Sequence, residues 1–301
     1  MIDIVIVSYN EPKATLRAVK TFLRQCKDKK ARITVFDPFL EVEKFLKDNI
    51  NDKRFNFFLD PGEGKSYAIS MLFQEYGSND KEDIFILTDG DVYVSDNAVD
   101  EILKVFKDPK VGCVTGKPTS VDSRKEKYGY WSHFLFSAAD NVRRKFSKKG
   151  EVFETTGYLQ AIRKGVIWEC PEGTADDTII PYLFWKKGYK IKYLPNVEVY
   201  VKNPNNWKDW KNQKIRNIKG HENLNKIAPD MPRMKTFSNE AKDGASLFFT
   251  YPKSAKEFFW TLQLYFARLY VYVKAFREMK QNKIYQDDWR EVETPSTKPL
   301  D

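Results

Sequence analysis

Residues 1–90 alternate short apolar runs with amphipathic stretches, and this alternation limits the possible folds more than any other feature. Ile2 to Val7 is an apolar run of strand length. Pro12 to Cys26 has helical spacing through Leu16, Val19, Phe22 and Leu23. Ile33 to Phe36 reads as a second strand and Leu40 to Leu46 as a helix. Phe55 to Leu59, Ser66 to Tyr76 and Ile84 to Thr88 continue the pattern as strand, helix and strand. Such alternation predicts an α/β fold with a mostly parallel sheet between helices. Ligands on such sheets bind outside the carboxyl ends of the strands. Four loops fall there: Ser8 to Glu11, Asp37-Pro38, Asp60 to Ser66, and Asp89-Gly90-Asp91.

The rest of the chain is less regular. Val111 to Gly116 reads as a strand, Glu126 to Phe146 as a helix, and Val152 to Arg163 as strands around Gly157. Asp176 to Lys187 is helical and stops at Gly188, a common C-terminal signal. Ile191 to Leu194 and Val197 to Val201 read as two strands, and Trp207 to Ile227 as a polar helix. Pro229 to Gly244 is charged and rich in loop formers.

Ser254 to Gln281 is a long aromatic helix. Leu262, Tyr265, Phe266, Leu269, Val273 and Phe276 share one face. Arg268 and Lys274 argue against a spanning helix, since a central charge costs about 2.5–3.5 kcal/mol on insertion scales. Two placements stay open: an interfacial helix at a membrane, or a helix packed on the main domain. The stretch from Asp287 to Asp301 reads as a loose tail.

Composition narrows the function. The 301 residues carry a net charge of +9, which suits anionic partners such as nucleotide phosphates, nucleic acid or an acidic membrane surface. Cys26, Cys113 and Cys170 are far apart, and the histidines are only His133 and His221. Zinc sites and disulfide frameworks are therefore not expected, and a reducing, cytoplasmic setting is. Both histidines read as structural or surface residues. The N-terminus enters a strand directly, so no signal peptide is visible.

Several constellations could carry chemistry. Asp89 and Asp91, one residue apart at a strand end, can hold a divalent cation with a diphosphate, or simply make an acidic turn. Gly62-Glu63-Gly64-Lys65-Ser66 lacks the first glycine of a Walker loop, since Leu59 stands there. A glycine turn opening a helix can still present N–H groups and a lysine to an anion. Asp176 and Asp177 open a helix, as caps or as a general base. Gln213 and Arg216 share a helix face, where arginine suits a phosphate.

Together, in this order, these segments closely resemble the inverting family 2 glycosyltransferases of the GT-A fold. The branch with hyaluronan, chitin and cellulose synthases and ceramide glucosyltransferase is the most similar. The resemblance covers residues 1–225 and implies a role for each position. Tyr9, Asn10, Glu11 and Asp37 would hold the nucleotide, and Lys65 would approach the diphosphate. Asp89 would contact the nucleotide sugar, and Asp91 would bind Mn²⁺ or Mg²⁺. Gly157 and Tyr158 would lie by the donor sugar and acceptor. Asp177 would be the catalytic base, with Asp176 where the family has Glu. Gln213 and Arg216 match Q-x-x-R-W, the motif that closes over the diphosphate.

Asn217 replaces the aromatic of that motif, so Trp207 and Trp210 are candidates for stacking on the acceptor. Asp37 is followed by Pro38 where the family has a second Asp, so base contacts are expected to differ.

The resemblance implies a nucleotide-sugar donor, a UDP-sugar by that likeness, and a glycan or lipid-linked acceptor; the aromatic helix from Ser254 to Gln281 suits peripheral contact at the cytoplasmic membrane face. It implies a catalytic domain over 1–228, divided into a nucleotide half (1–116) and an acceptor half (117–228). A helical extension (229–286) and the tail (287–301) follow. A nucleic-acid-binding protein would explain the charge but not acids at strand ends. A sugar nucleotidyltransferase would need a glycine-rich loop after the first strand, where Ser8 to Pro12 has none. A catalytically dead relative would not need the acids together with Gln213 and Arg216.

Overall fold

The computed structural model describes residues 1–152, 154–171, 175–234 and 246–281. Most of the charged 229–244 stretch and the whole 287–301 tail lie outside the described residues.

Eight strands form one sheet in the order β3-β2-β1-β4-β7-β6-β8-β5. β1 (Ile2–Val7), β2 (Ala31–Asp37), β3 (Phe55–Leu59) and β4 (Ile84–Asp89) are parallel, with Ile4 beside both Ile33 and Ile86. α1 (Pro12–Gln25), α2 (Leu40–Asn49) and α3 (Lys65–Tyr76) connect them. Both sheet faces are covered, so these strands are apolar without alternation. Ile4, Ile33 and Ile86 pack with Val19 and Phe22 of α1 on one face. Val5, Phe36 and Phe85 pack with Ile69, Leu72 and Phe73 of α3 on the other.

The second half completes the sheet. β6 (Val111–Ser120) and β8 (Lys190–Val201) are parallel, while β7 (Leu159–Arg163) runs antiparallel between β4 and β6. β8 is continuous where the sequence suggested two strands. Its register against β6 shifts between Gly116 and Lys117, jumping from Leu194 to Glu198. Pro195, which has no N–H to give a ladder, falls in that bulge. β5 (Tyr93–Val94) and α4 (Ala98–Val105) were not foreseen from the sequence. Both are shorter than the stretches over which periodicity reveals such elements.

Three further helices belong to this half. α5 (Lys127–Lys149) precedes β7, α6 (Asp176–Lys186) precedes β8, and α7 (Trp207–Ile227) follows it. α5 and α6 pack on β6 and β8. α8 (Ala255–Lys280) lies against α5 and α7, burying Leu264, Ala267, Val271 and Ala275. Its start is fixed by Ser254, whose Oγ accepts from the Glu257 N–H at 3.2 Å. Glu257 also receives two hydrogen bonds from Arg124, both 2.9 Å. The opposite face of α8 leaves Phe259, Phe266 and Leu269 more than half exposed. The helix thus both packs on the domain and presents an apolar face outward. Among the described residues, no helix is long and apolar enough to cross a membrane.

Candidate active site

The carboxyl ends of β1 and β4, the loop before β7 and the starts of α3 and α6 converge on one cavity of about 1130 Å³. Strand ends and helix starts supply its charged groups. β4 ends at Asp89 beside Val7 of β1. The Gly90 N–H then donates to the Val7 carbonyl at 2.7 Å. A Cβ on Gly90 would stand 2.8 Å from both Ser8 Cβ and Thr15 Oγ1. Only glycine allows the turn to lie so close to β1, and that closeness puts Asp89 and Asp91 on the cavity wall.

Lys65 enters from the first turn of α3. Gly64 before it has φ of +104°, a backbone region open mainly to glycine. The Lys65 Nζ bonds Asp89 Oδ1 at 2.7 Å and the Gly157 carbonyl at 3.3 Å, and lies 3.3 Å from Asp176 Oδ2. Burial alone would lower its pKa, but Asp176 and Asp89 outweigh burial and hold the ammonium above its ordinary value. Burial likewise raises the Asp176 carboxyl, Lys65 opposes this, and Asp177 and Asp89 add to it.

Asp177 is tied down through its backbone. Pro181 sits four residues later in α6 and has no N–H to give the Asp177 carbonyl. Thr155 takes that place, donating from its N–H at 2.9 Å and its hydroxyl at 2.8 Å. The loop bearing Gly157 is thereby fixed to the residue bearing Asp177. Where a Gly157 Cβ would stand, Lys65 Nζ is 3.8 Å away and Asp177 Cβ 4.0 Å. The glycine therefore leaves room between the lysine and the acid; it does not relieve a clash. Tyr158 follows on the cavity wall, and burial, then Asp89 and Asp91, raise its phenol.

The other expected residues divide into those at the cavity and those behind it. Tyr9, Glu11, Gln213 and Arg216 line it. Tyr9 is exposed and packs edge-on against Phe39 at 5.2 Å. Asp37 and Asn10 lie behind that wall. The Asp37 carboxylate is fully buried and accepts from Ser8 Oγ at 2.6 Å, from the Asn10 N–H at 3.0 Å and from the Phe39 N–H at 2.9 Å. It holds the β1–α1 loop in shape, with Asn10 at φ +53°.

Trp207 and Trp210 are not among the lining residues. Trp210 is buried between Trp131 at 5.0 Å and Trp207 at 5.5 Å, in the core shared by α5, α7 and α8. Stacking of Trp210 on an acceptor is therefore not what this position offers.

Asp60, His221 and Arg143 are among the cavity residues to which the sequence reading gave no role. Asp60 closes the β3 loop, accepting from the Gly62 N–H at 2.7 Å. His221, expected to be structural, lines the cavity. Its Nδ1 lies 3.2 Å from the Thr178 hydroxyl, which is 3.2 Å from Asp177 Oδ1. That link spans 43 residues and leaves no local pattern. Arg143 of α5 also lines the cavity, where the sequence reading had only a helix over Glu126 to Phe146.

Among the described residues, no group of three or more His, Cys, Asp or Glu converges on a metal position. Two carboxylates, one of them bonded to Lys65, do not make a closed protein site. They do fit a hard divalent ion that takes oxygens from a diphosphate and water.

Known proteins share this architecture. The mannosyltransferase PcManGT from Pyrobaculum calidifontis, solved with GDP-Man and Mn²⁺, superposes with a TM-score of 0.58 at 14% identity. The match covers 92% of this chain and 80% of that one. GalNAc-T7, solved with UDP, GalNAc and Mn²⁺, gives 0.51 at 18% identity, over 87% of this chain and 56% of that one. At these identities the likeness establishes the fold, that of GT-A nucleotide-sugar transferases. No curated protein matches the chain. The family model described as Glycosyltransferase like family 2 matches residues 2–220, and the chain belongs to that family.

Proposed function

We propose that this protein is an inverting glycosyltransferase that moves a sugar from a nucleotide-diphospho-sugar to an acceptor hydroxyl. One observation carries the reading: Lys65 Nζ and Asp177 Cβ lie 3.8 Å and 4.0 Å from where a Gly157 Cβ would stand, so both residues border the space that the glycine leaves open. A cation for the leaving group and a base for the acceptor then border the same gap.

The acceptor oxygen attacks the anomeric carbon while the bond from that carbon to the diphosphate breaks. Asp177 takes the hydroxyl proton, and attack from the face opposite the leaving group inverts the anomeric configuration. Lys65 and Arg216, both on the cavity, stand against the charge of the departing diphosphate. Tyr9 and Glu11 border the nucleotide, with Asp37 and Asn10 shaping their loop. Asp89 serves the nucleotide sugar and, with Asp91, would hold Mn²⁺ or Mg²⁺. When bound, such an ion neutralises the diphosphate.

The acceptor is a glycan or a lipid-linked acceptor. Phe134 and Leu135 of α5 and Leu262, Phe266 and Leu269 of α8 give the cavity an apolar wall beside its charged end. The outward face of α8 suits peripheral contact with a membrane, in keeping with residues 1–228 as the catalytic unit and 229–286 as an extension.

The test is a panel of nucleotide-sugars, UDP-sugars first, incubated with Mn²⁺ and assayed for nucleoside diphosphate release. Asp177→Asn should lower transfer about 10²–10⁴-fold while nucleotide affinity is kept. Near-normal transfer in that variant, or a product of retained configuration by NMR, refutes the mechanism.

A further inference from the structure

Arg143 has no role in the chemistry above, yet its placement is unusual for an arginine. It lies on α5 and is 6% exposed, and it lines the cavity. Among the described residues, its guanidinium makes no hydrogen bond or ion pair. The Tyr193 ring centroid lies 5.9 Å from the guanidinium carbon.

The neighbouring carboxylates are engaged elsewhere. Glu154 accepts from the Met234 N–H at 3.0 Å and lies 3.5 Å from Arg233 Nε. Asp140 accepts from Arg144 at 2.9 Å and from the Tyr193 hydroxyl at 2.6 Å. Burial pulls the Arg143 pKa below its ordinary value, and Tyr193, Glu154, Asp177 and Asp140 oppose this only in part. Arginine cannot shed its proton in response, so the charge stays. A buried charge is normally paired, and here the open direction is the cavity.

We propose that Arg143 forms an oxyanion subsite for the acceptor, which carries a phosphate or carboxylate. The guanidinium fork matches such a group in a bidentate way. The side chain is placed to act on the acceptor: it lines the same cavity as Asp177, whose charge acts on it. Ala139 and Val142, beside it on α5, continue the apolar wall. An anionic head next to an apolar portion of the acceptor would meet both features. This inference rests on the reading of Asp177 as the base.

The donor site is first saturated with UDP and Mn²⁺, and n-octyl phosphate, n-octanol and inorganic phosphate are then titrated by calorimetry. Octyl phosphate should bind the wild type more tightly than either of the others. Its affinity should fall about tenfold or more in Arg143→Gln, the usual loss when a charged hydrogen-bonding partner is removed. Arg143→Lys, which keeps the charge, should retain part of it. UDP affinity should be the same in all three proteins, which also shows that the variants fold.

Unchanged octyl phosphate affinity in Arg143→Gln overturns the subsite. Equal binding of octanol overturns the requirement for an anion, and equal binding of inorganic phosphate overturns its place on an acceptor. The octyl phosphate titrations are repeated without UDP. Failure of UDP to bind the wild type would thus count against the donor reading separately from the Arg143 result.

Discussion

The two sides of the cavity are built on different physical terms. On the donor side, charges sit at a strand end and at helix starts and hold one another: Lys65 bridges Asp89, Asp176 and the Gly157 carbonyl. On the far side, α5 and α8 present apolar side chains from separate parts of the chain, with Arg143 among them. The parallel strands fix the donor groups through their register, so a small displacement there shifts several charges together. The helical wall tolerates more, because its contacts are non-directional. One side is suited to fixing the chemistry and the other to selecting what is glycosylated.

The largest expected effect tests the donor side. Asp91→Ala should weaken Mn²⁺-dependent nucleoside diphosphate binding by more than about a hundredfold, since a metal-held charge supplies several kcal/mol. Calorimetry with and without Mn²⁺ measures this, and unchanged affinity would remove Asp91 from the metal role. The metal-independent part of binding should survive, because Lys65 and Arg216 remain.

Next is Gly90→Ala, which tests whether close approach of the turn to β1 sets the site. The added methyl would meet Ser8 and Thr15 at 2.8 Å. Overpacking of this kind costs about 1–3 kcal/mol, read as a lower melting temperature. A variant as stable as the wild type would mean that the turn gives way easily.

The donor side was the more legible one in the sequence. Continuous apolar strands, each ending in a polar loop, announced β1 to β4 and located Asp89, Asp91 and Lys65. Even there, the sequence did not separate groups on the cavity from groups behind it: Asp37 lies behind the wall, its oxygens held by Ser8, Asn10 and Phe39. The helical side was harder to read for a physical reason. Spacing shows that a helix has an apolar face but not what covers it. Trp210 was therefore offered to an acceptor although Trp131 and Trp207 enclose it. In α8 the stripe that packs runs through Leu264, Ala267 and Val271, offset from the one the aromatic pattern suggested. Arg143 and His221 depend on contacts far apart in sequence, which no local spacing encodes.

Asp60 allows a test by pH. Burial raises its pKa above 3.8, the Gly62 N–H opposes this, and Glu63 adds to it. A carboxyl whose pKa is raised on folding favours the folded state below the unfolded value, and that contribution is lost as pH rises through the folded value. Asp60→Asn removes the cost of the buried charge and can keep an oxygen for the Gly62 N–H. The variant should therefore be more stable than the wild type at neutral pH, with the difference disappearing below about pH 3.8. Denaturant melts at neutral and acid pH check this, and a difference independent of pH would mean that the carboxylate charge is not its source.

The smallest effect on stability belongs to the outer face of α8. Phe259 is 57% exposed and Val273 is 42% exposed, and neither lines the cavity. Replacing both with serine should change the unfolding free energy by no more than about 0.5 kcal/mol per site, as for other surface positions away from special features. The same double variant should lose much of any binding to vesicles containing anionic lipid, because a lipid interface would cover the apolar area that water now meets. Sedimentation with such vesicles reads this directly. If the variant still sediments with them as the wild type does, the lipid contact lies on another surface and α8 serves only the domain it packs against. If neither protein sediments, the apolar face must be explained by a protein partner, and the helical wall would be part of an interface as well as of the cavity.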